Sequence, residues 1–370
     1  MKKNVNVKAD YIIVGCDLHE ESMLVKYAAD KSEPKTKSYA YKRVRRQAMI
    51  EDLKKLSARH GGAEVVFAYE ASGLGYVLHD ELVAAGIDCR VIAPSKVDRS
   101  PHYRRRKTDE VDAARMFELL RGHLLAGNKL PACHVPNKQE RDDREVTRAS
   151  HDVQQKVAMV KAQLTCLLKR YGIEEPDDVG RRWTKCYRAW LKGLPESKLD
   201  LGAGKVLLSY LRQIELMEEE LAYWNKEVET LGQSDSHKAP VEAMMAHKGV
   251  GMVTATTFLT EVGDLNRFKK GRHVAAYLGL VPSSHESGEV DDRKGHITKQ
   301  GPSQVRAVLN QAAWSFIRTE PWARAKYDRI AQRNPKKKKI AVVAVMHDLA
   351  IWLWRTGLAA KRAAAATAGS

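Results

Sequence analysis

Tyr11-Ile12-Ile13-Val14-Gly15-Cys16-Asp17 is a strand-like apolar run closed by a carboxylate. The pattern recurs downstream, where Val65-Val66-Phe67-Ala68-Tyr69 ends on Glu70. Reading outward from these runs, strands are expected over residues 11–18, 24–29, 36–42, 64–69 and 89–93, with helices over 44–58 and 75–85 between them. The order β-β-β-α-β-α-β-α describes a mixed sheet with helices on its faces. If its first and fourth strands lie side by side and parallel, Asp17 and Glu70 become neighbours at the carboxyl ends of adjacent strands, where open α/β sheets place their sites.

Two further carboxylates, Asp109 and Asp112, open a predicted helix directly behind the basic run Arg104-Arg105-Arg106-Lys107. Residues i and i+3 of a helix share a face, so both acids point the same way, while Glu110 between them does not. A lone aspartate is more often a cap or a solvated charge. Four converging acids beside a basic patch are a different matter, since they repel one another unless a divalent ion lies between them. Magnesium or manganese suits such an all-oxygen set, and two ions about 4 Å apart would activate an attacking oxygen and stabilise a leaving one.

The 370 residues are enough for two or three domains. With 63 Lys+Arg against 46 Asp+Glu the formal net charge is +17, which favours a polyanionic partner. Cys16, Cys89, Cys133, Cys166 and Cys186 form no CxxC pair and are odd in number, so a disulfide framework or zinc site is not expected and a cytoplasmic setting fits. The polar N-terminus reads as no signal peptide. The late apolar run 340–346 is broken by His347 and Asp348, short of the ~20 residues of a membrane span, so no membrane association is expected. The thirteen histidines show no metal-ligand spacing, and Gly73-Leu74-Gly75 fails as a dinucleotide fingerprint because Leu78 stands at the third glycine position.

The middle of the chain changes period. Val153, Val157, Val160, Leu164, Leu167 and Tyr171 recur at alternating spacings of four and three, as do Ile214, Met217, Leu221, Trp224, Val228 and Leu231. Both are coiled-coil seams, forming either an internal helical hairpin or a dimerisation arm.

After a polar linker the C-terminal part reads as helical, and it carries three further motifs. His247-Lys248-Gly249-Val250-Gly251 leads into a helix, a helix-hairpin-helix pattern in which Gly249 and Gly251 would offer backbone N–H groups to a phosphate; Gly-Val-Gly is equally an ordinary interhelical turn. The block Gly279-Leu280-Val281-Pro282-Ser283-Ser284-His285-Glu286-Ser287-Gly288, continuing to Lys299 and Gly301, reads as a flexible loop between helices; by default it is a solvated connector. A serine there would serve as a nucleophile given an activating metal or base, but residue chemistry alone does not choose among Ser283, Ser284, Ser287 and Ser303. Lys336, Lys337 and Lys338, in the run Asn334-Pro335-Lys336-Lys337-Lys338-Lys339, suit backbone contacts in so basic a protein.

In this order the motifs resemble the DEDD transposases of the one-ten type of bacterial insertion sequence, which include the pilin-gene invertases. Asp17, Glu70 and Lys107-Thr108-Asp109-Glu110-Val111-Asp112-Ala113 match the N-terminal landmarks. Gly249-Val250-Gly251, Ala276-Tyr277-Leu278-Gly279-Leu280-Val281-Pro282, Ser287-Gly288 and the Lys299, Gly301 and Arg306 region match the C-terminal ones. The resemblance implies an RNase H-like (RuvC-like) domain whose four acids bind magnesium. It also implies Ser287 as the nucleophile that forms a covalent phosphoserine link to DNA. It further implies a structured guide (bridge) RNA pairing with donor and target DNA, and a homodimer assembling to a tetramer. Two stretches depart from the family pattern: Glu289-Val290-Asp291-Asp292 is more acidic than usual, and Pro302 replaces a customary Asn, a residue suited to a helix start.

The expected fold is therefore α/β plus α: a mixed-sheet domain over 8–135, a coiled-coil helical hairpin over 136–235, a small helical transposase domain over 236–360 and a disordered Ala-rich tail over 361–370. The expected function is DNA cleavage and rejoining by a two-metal DEDD cluster (Asp17, Glu70, Asp109, Asp112) and a serine. Arg104, Arg105, Arg106, Lys107, Gly249, Gly251, Lys299, Arg306, Lys336, Lys337 and Lys338 are the expected nucleic-acid contacts. The rivals are a metal-dependent structure-specific nuclease, an actin-like ATPase and a non-catalytic nucleic-acid scaffold. The ATPase expects a glycine-rich loop after the first strand, where Leu18-His19-Glu20-Glu21 stands instead. The scaffold would not require all four acids.

Overall fold

A computed structural model describes residues 8–94, 108–284, 294–333 and 335–368. Arg104, Arg105, Arg106, Lys107 and Ser287 lie outside the described residues. The chain divides into two compact units, Met1–Val135 and Pro136–Ser370.

The first unit is built on a five-stranded sheet of order β3-β2-β1-β4-β5, comprising β1 Tyr11–Leu18, β2 Ser22–Ala29, β3 Lys35–Ala40, β4 Glu64–Glu70 and β5 Asp88–Ile92. β1 and β4 are parallel neighbours, with Cys16 opposite Tyr69, while β1–β2 and β2–β3 are antiparallel. Helices α1 (Arg43–Arg59), α2 (Val77–Ala84) and α3 (Asp109–Ala126) flank it.

Strand alternation sorts the core into two layers. Ile12, Val14, Cys16, Val65, Phe67 and Tyr69 pack with Met49, Ile50 and Leu53 of α1 and Leu78 and Leu82 of α2. The opposite parity, Ile13, Val66 and Ala68, packs against Met116, Phe117 and Leu120 of α3. Gly15 shares that second face, and a Cβ there would lie 2.1 Å from the Phe117 backbone nitrogen and 2.7 Å from the Ala113 oxygen. Only a residue without a side chain lets α3 lie this close to β1.

Among its described residues the second unit is helical apart from a two-stranded ribbon, β6 Pro282–Ser284 and β7 Lys294–Ile297. Helix α4 (Lys138–Arg170) starts in a capping box between Asn137 and Glu140 and packs along α6 (Leu201–Gly232). Val153, Val157, Val160, Leu164, Leu167, Ile214 and Val228 of the two seams are buried, while Met217, Leu221, Trp224 and Leu231 are half-buried; the two helices pack as a hairpin within one chain. Tyr171, the last residue of the first seam, is exposed because the helix ends there. Helix α5 (Lys185–Ser197) closes the far end with Tyr187, Leu191 and Leu194.

A separate core gathers α7 (Lys238–Met245), α8 (Met252–Val262), α9 (Gly271–Tyr277), α10 (Ser303–Thr319), α11 (Pro321–Arg333) and α12 (Lys339–Ala368). α12 is long and apolar enough to cross a membrane, but half of its apolar window is buried in this unit and it contributes Val345, Leu349 and Leu353 to the core. Residues 361–368 continue this helix, where a disordered tail was expected. Alanine is the strongest helix former, and extending an existing helix needs no new nucleus. The segment expected to be only a loop between helices also carries the β6–β7 pairing, with Pro282 opposite Ile297.

Candidate metal centre and nucleic-acid interface

The acids of the first unit gather on one face of the sheet. Asp17 follows Ile13 and Gly15 at the same parity on β1, and Glu70 follows Val66 and Ala68 on β4, so both stand on the face covered by α3. Because the two strands are parallel and adjacent, both acids come at carboxyl ends. The close contact at Gly15 fixes where α3 begins. Ala113 lies over Gly15, which leaves the preceding turn, with Asp109 and Asp112, next to Asp17.

The Asp17 side chain is only 15% exposed. Burial pushes its carboxyl above the ordinary aspartate value; His19 pulls it back, and Asp112 and Asp109 push it up further. Two of the causes that oppose this half-buried charge are Asp112 and Asp109, so these acids act on Asp17 across the strand–helix junction.

His19 was not anticipated. Its Nε2 lies 3.0 Å from Asp17 Oδ2 and 3.5 Å from Asp109 Oδ1. Among the described residues, Asp17, His19 and Asp109 form the group of side chains whose ligand atoms all fall within 4.8 Å of one another. The missed signal was the spacing of two: a residue at i+2 from Asp17 returns to the same side where the strand ends and the turn to β2 begins. The donor set of carboxylate oxygens, mutually repelling and half-sheltered, fits a divalent cation.

In the second unit the expected nucleic-acid residues occupy distinct places. Gly249 and Gly251 lie in the turn between α7 and α8. Gly249 has φ +101° and a Cβ there would meet Ser315 Oγ at 2.6 Å, so its glycine is required by packing whatever the turn contacts. Gly279 and Gly301 interlock backbone to backbone: a Cβ on Gly279 would lie 2.2 Å from the Gln300 oxygen, and one on Gly301 2.0 Å from the Tyr277 oxygen.

Arg306 locks that junction, with Nη1 donating to the carbonyl oxygens of Leu278, Gln300 and Gly301 at 3.0–3.1 Å. Its described bonds therefore hold the loop's base. Lys299 beside it is exposed, with φ +55°. Lys336, Lys337 and Lys338 stand on the rim of a cleft of about 1130 Å³ whose other wall is the ribbon, through Pro282, Gly295 and Ile297, over a floor including Ile340 and Val343. The strands that bracket residues 285–293 thus face the lysine run across one cleft.

A profile of the transposase IS116/IS110/IS902 family matches residues 241–328, and a DEDD transposase profile matches residues 14–173. The chain is 30% identical over 327 residues to a putative transposase, y4qE, of Sinorhizobium fredii, covering 82% of this chain and 77% of that one. The chain belongs to the IS116/IS110/IS902 family of transposases. These enzymes cleave and rejoin DNA. The chain is also 24% identical over 304 residues to the transposase for insertion sequence element IS1533 of Leptospira borgpetersenii, covering 82% of this chain and 84% of that one. A pilin gene-inverting protein of Moraxella bovis is 28% identical over 114 residues, covering 31% of this chain and 35% of that one. The DEDD profile spans Asp17, Glu70, Asp109 and Asp112; the second profile spans Gly249, Gly251, residues 285–293 and Arg306, and stops short of the lysine run.

Proposed function

We propose that this transposase breaks and rejoins DNA strands with a divalent-metal site on Asp17, Glu70, Asp109 and Asp112 and with Ser287 as nucleophile. The observation that carries the reading is the convergence of Asp17 and Asp109, with Asp112 close enough to raise Asp17's pKa, at the strand–helix junction that Gly15 permits. A mixed sheet with a parallel central pair and acids at its carboxyl ends supports an RNase H-like reading of the first unit.

Each residue has a definable task. Asp17 and Glu70 present oxygens from a rigid sheet, while Asp109 and Asp112 present theirs from the first turn of α3. Bound Mg²⁺ or Mn²⁺ supplies Lewis-acid stabilisation of charge on the phosphate and its leaving oxygen. The Ser287 oxygen bonds to phosphorus while the bond from phosphorus to one sugar oxygen breaks. The serine gives up its proton and the departing oxygen takes one, leaving a strand end with a free hydroxyl. A serine ester conserves the phosphodiester bond energy, so a hydroxyl of another strand can displace the serine and complete rejoining; a hydrolytic nuclease would lose that energy to water. Lys336, Lys337 and Lys338 hold phosphates along the cleft rim. A structured guide RNA pairing with donor and target DNA, and a homodimer assembling to a tetramer, complete the reading, supported by the family resemblance and the basic charge.

The test is adduct trapping. Protein, element-derived RNA and a nicked substrate should yield a denaturation-resistant protein–DNA adduct, absent in Ser287→Ala and retained in Ser283→Ala. In the same assay Asp109→Asn should abolish cleavage with nucleic-acid binding intact, whereas Glu110→Gln should be mild. An adduct that persists in Ser287→Ala overturns the serine mechanism, and equal loss from the Asp109 and Glu110 changes overturns the metal assignment.

A further inference from the structure

We propose that His19 is a nitrogen ligand of the divalent ion held by the acidic site, and that it shifts that site's preference from magnesium towards first-row transition ions. The proposal rests on the reading of the acids as a metal site and adds a donor of a different chemical kind.

Three features carry it. The first is convergence: a single atom, His19 Nε2, faces two carboxylate oxygens from different elements, Asp17 Oδ2 at 3.0 Å and Asp109 Oδ1 at 3.5 Å. A ring nitrogen has one lone pair or one hydrogen in the ring plane, so it satisfies one partner in line. Two carboxylates and a nitrogen drawn to one point is the arrangement a shared cation organises.

The second is position. His19 sits immediately after β1, in a turn closed by its own backbone N–H donating to the Ser22 oxygen at 2.9 Å. The turn therefore fixes the backbone two residues beyond Asp17, and the ring returns over the strand end. The third is exposure. The side chain is 49% exposed, so core packing does not explain the ring's placement.

The consequence is selectivity. Magnesium demands oxygen donors and keeps several waters. First-row transition ions accept imidazole, and their affinity for nitrogen-containing sites rises along the series from Mn²⁺. A site of aspartates, a glutamate and one imidazole discriminates where an all-carboxylate site does not.

The experiment uses the full-length protein and Mn²⁺ alone, read by electron paramagnetic resonance, with Mg²⁺ as competitor. Bound Mn²⁺ in the wild type should show electron spin echo modulation from a directly coordinated ¹⁴N. His19→Ala and His19→Gln should lose that modulation, keep the wild-type far-UV circular dichroism spectrum and bind Mn²⁺ about tenfold more weakly or worse, since losing even an outer partner of a ligand costs that much. Mg²⁺ affinity should change less, so the Mn²⁺/Mg²⁺ preference falls.

Mn²⁺ binding that depends on Asp17 and Asp109 but shows no ¹⁴N modulation, or modulation that survives in His19→Ala, overturns the histidine ligand and leaves the acidic site standing. Mn²⁺ binding that is absent in the wild type, or indifferent to Asp17→Asn and Asp109→Asn, overturns the acidic site and this proposal with it.

Discussion

A methyl group at residue 15 would drive α3 off the sheet, so the whole geometry of the acids hangs on one missing side chain. The acid it positions is stabilising for function and destabilising for the fold. Asp17 is half-buried beside Asp109 and Asp112, and its raised pKa means that the folded state binds its proton more tightly than the unfolded chain does. The sign follows: in chelator, stability contributed by this group falls as pH rises from the ordinary carboxylate range through the raised value. At pH 7 the charged form carries the whole penalty. Asp17→Asn should therefore raise the melting temperature slightly at pH 7 in EDTA, by about 1–4 °C, with the gain gone below pH 4. Added divalent ion should stabilise the wild type and not the variant. Thermal melts at the two pH values, with and without metal, check this; a variant less stable than wild type at pH 7 in EDTA contradicts it.

At the scale of elements, two buried or half-buried acids join helices that are distant in sequence. Glu261 of α8 is almost wholly buried, accepts from Arg148 Nε at 2.8 Å and from Gln304, and its backbone oxygen accepts from Arg144 and from the Tyr277 hydroxyl. This knot ties the long hairpin to the C-terminal helices within the second unit. Glu218 of α6 binds Lys161 of α4 at 2.6 Å and Arg188 of α5 at 2.8 Å. Burial pushes the Glu218 carboxyl up, but those two cations outweigh it and the net shift is downward. Its contribution is present above the ordinary glutamate value and is lost as pH falls through the lowered one. Glu261→Gln should cost ~1.5–3 kcal/mol, because a buried carboxylate loses its charge-assisted bonds to Arg148, whose own side chain is 43% exposed. Glu218→Gln should cost ~0.5–1.5 kcal/mol at pH 7, with the difference shrinking in acid. Denaturant melts at pH 7 and pH 3.5 separate the two; equal costs would contradict the burial argument.

The sheet, and the places of Asp17 and Glu70 at strand ends and of Asp109 and Asp112 in a helix's first turn, were legible because apolar runs, alternation and an i, i+3 pair are local patterns. His19, the β6–β7 ribbon and Arg306's carbonyl bonds were not, because each depends on which distant backbone arrives beside it. Helix propensity is legible at residues 361–368 too: alanine's preference carries α12 through them although they add nothing to the core.

Over the whole molecule, the charge of +17 is carried by residues of unlike kind, and the structure separates them. Arg306 and Arg144 spend hydrogen bonds on backbone carbonyls, so neutralising them removes loop or helix anchors along with charge. Lys336, Lys337 and Lys338 are exposed on the cleft rim opposite the ribbon, with no core role. A lysine that neutralises a phosphate displaces about one condensed counterion, so each such contact adds roughly 0.9 to the slope of log affinity against log salt on duplex DNA and 0.7 on single strands. Changing all three lysines to Gln should therefore flatten that slope by about 2 to 3 while weakening binding to every sequence alike, with the melting temperature held. Arg306→Gln should instead lower the melting temperature and change the slope by at most about 1. Filter binding across a salt series, paired with thermal melts, reads both effects. A slope unchanged in the triple-lysine variant places the cleft rim outside the nucleic-acid path, and would move the basic contribution to other lysines and arginines of the chain.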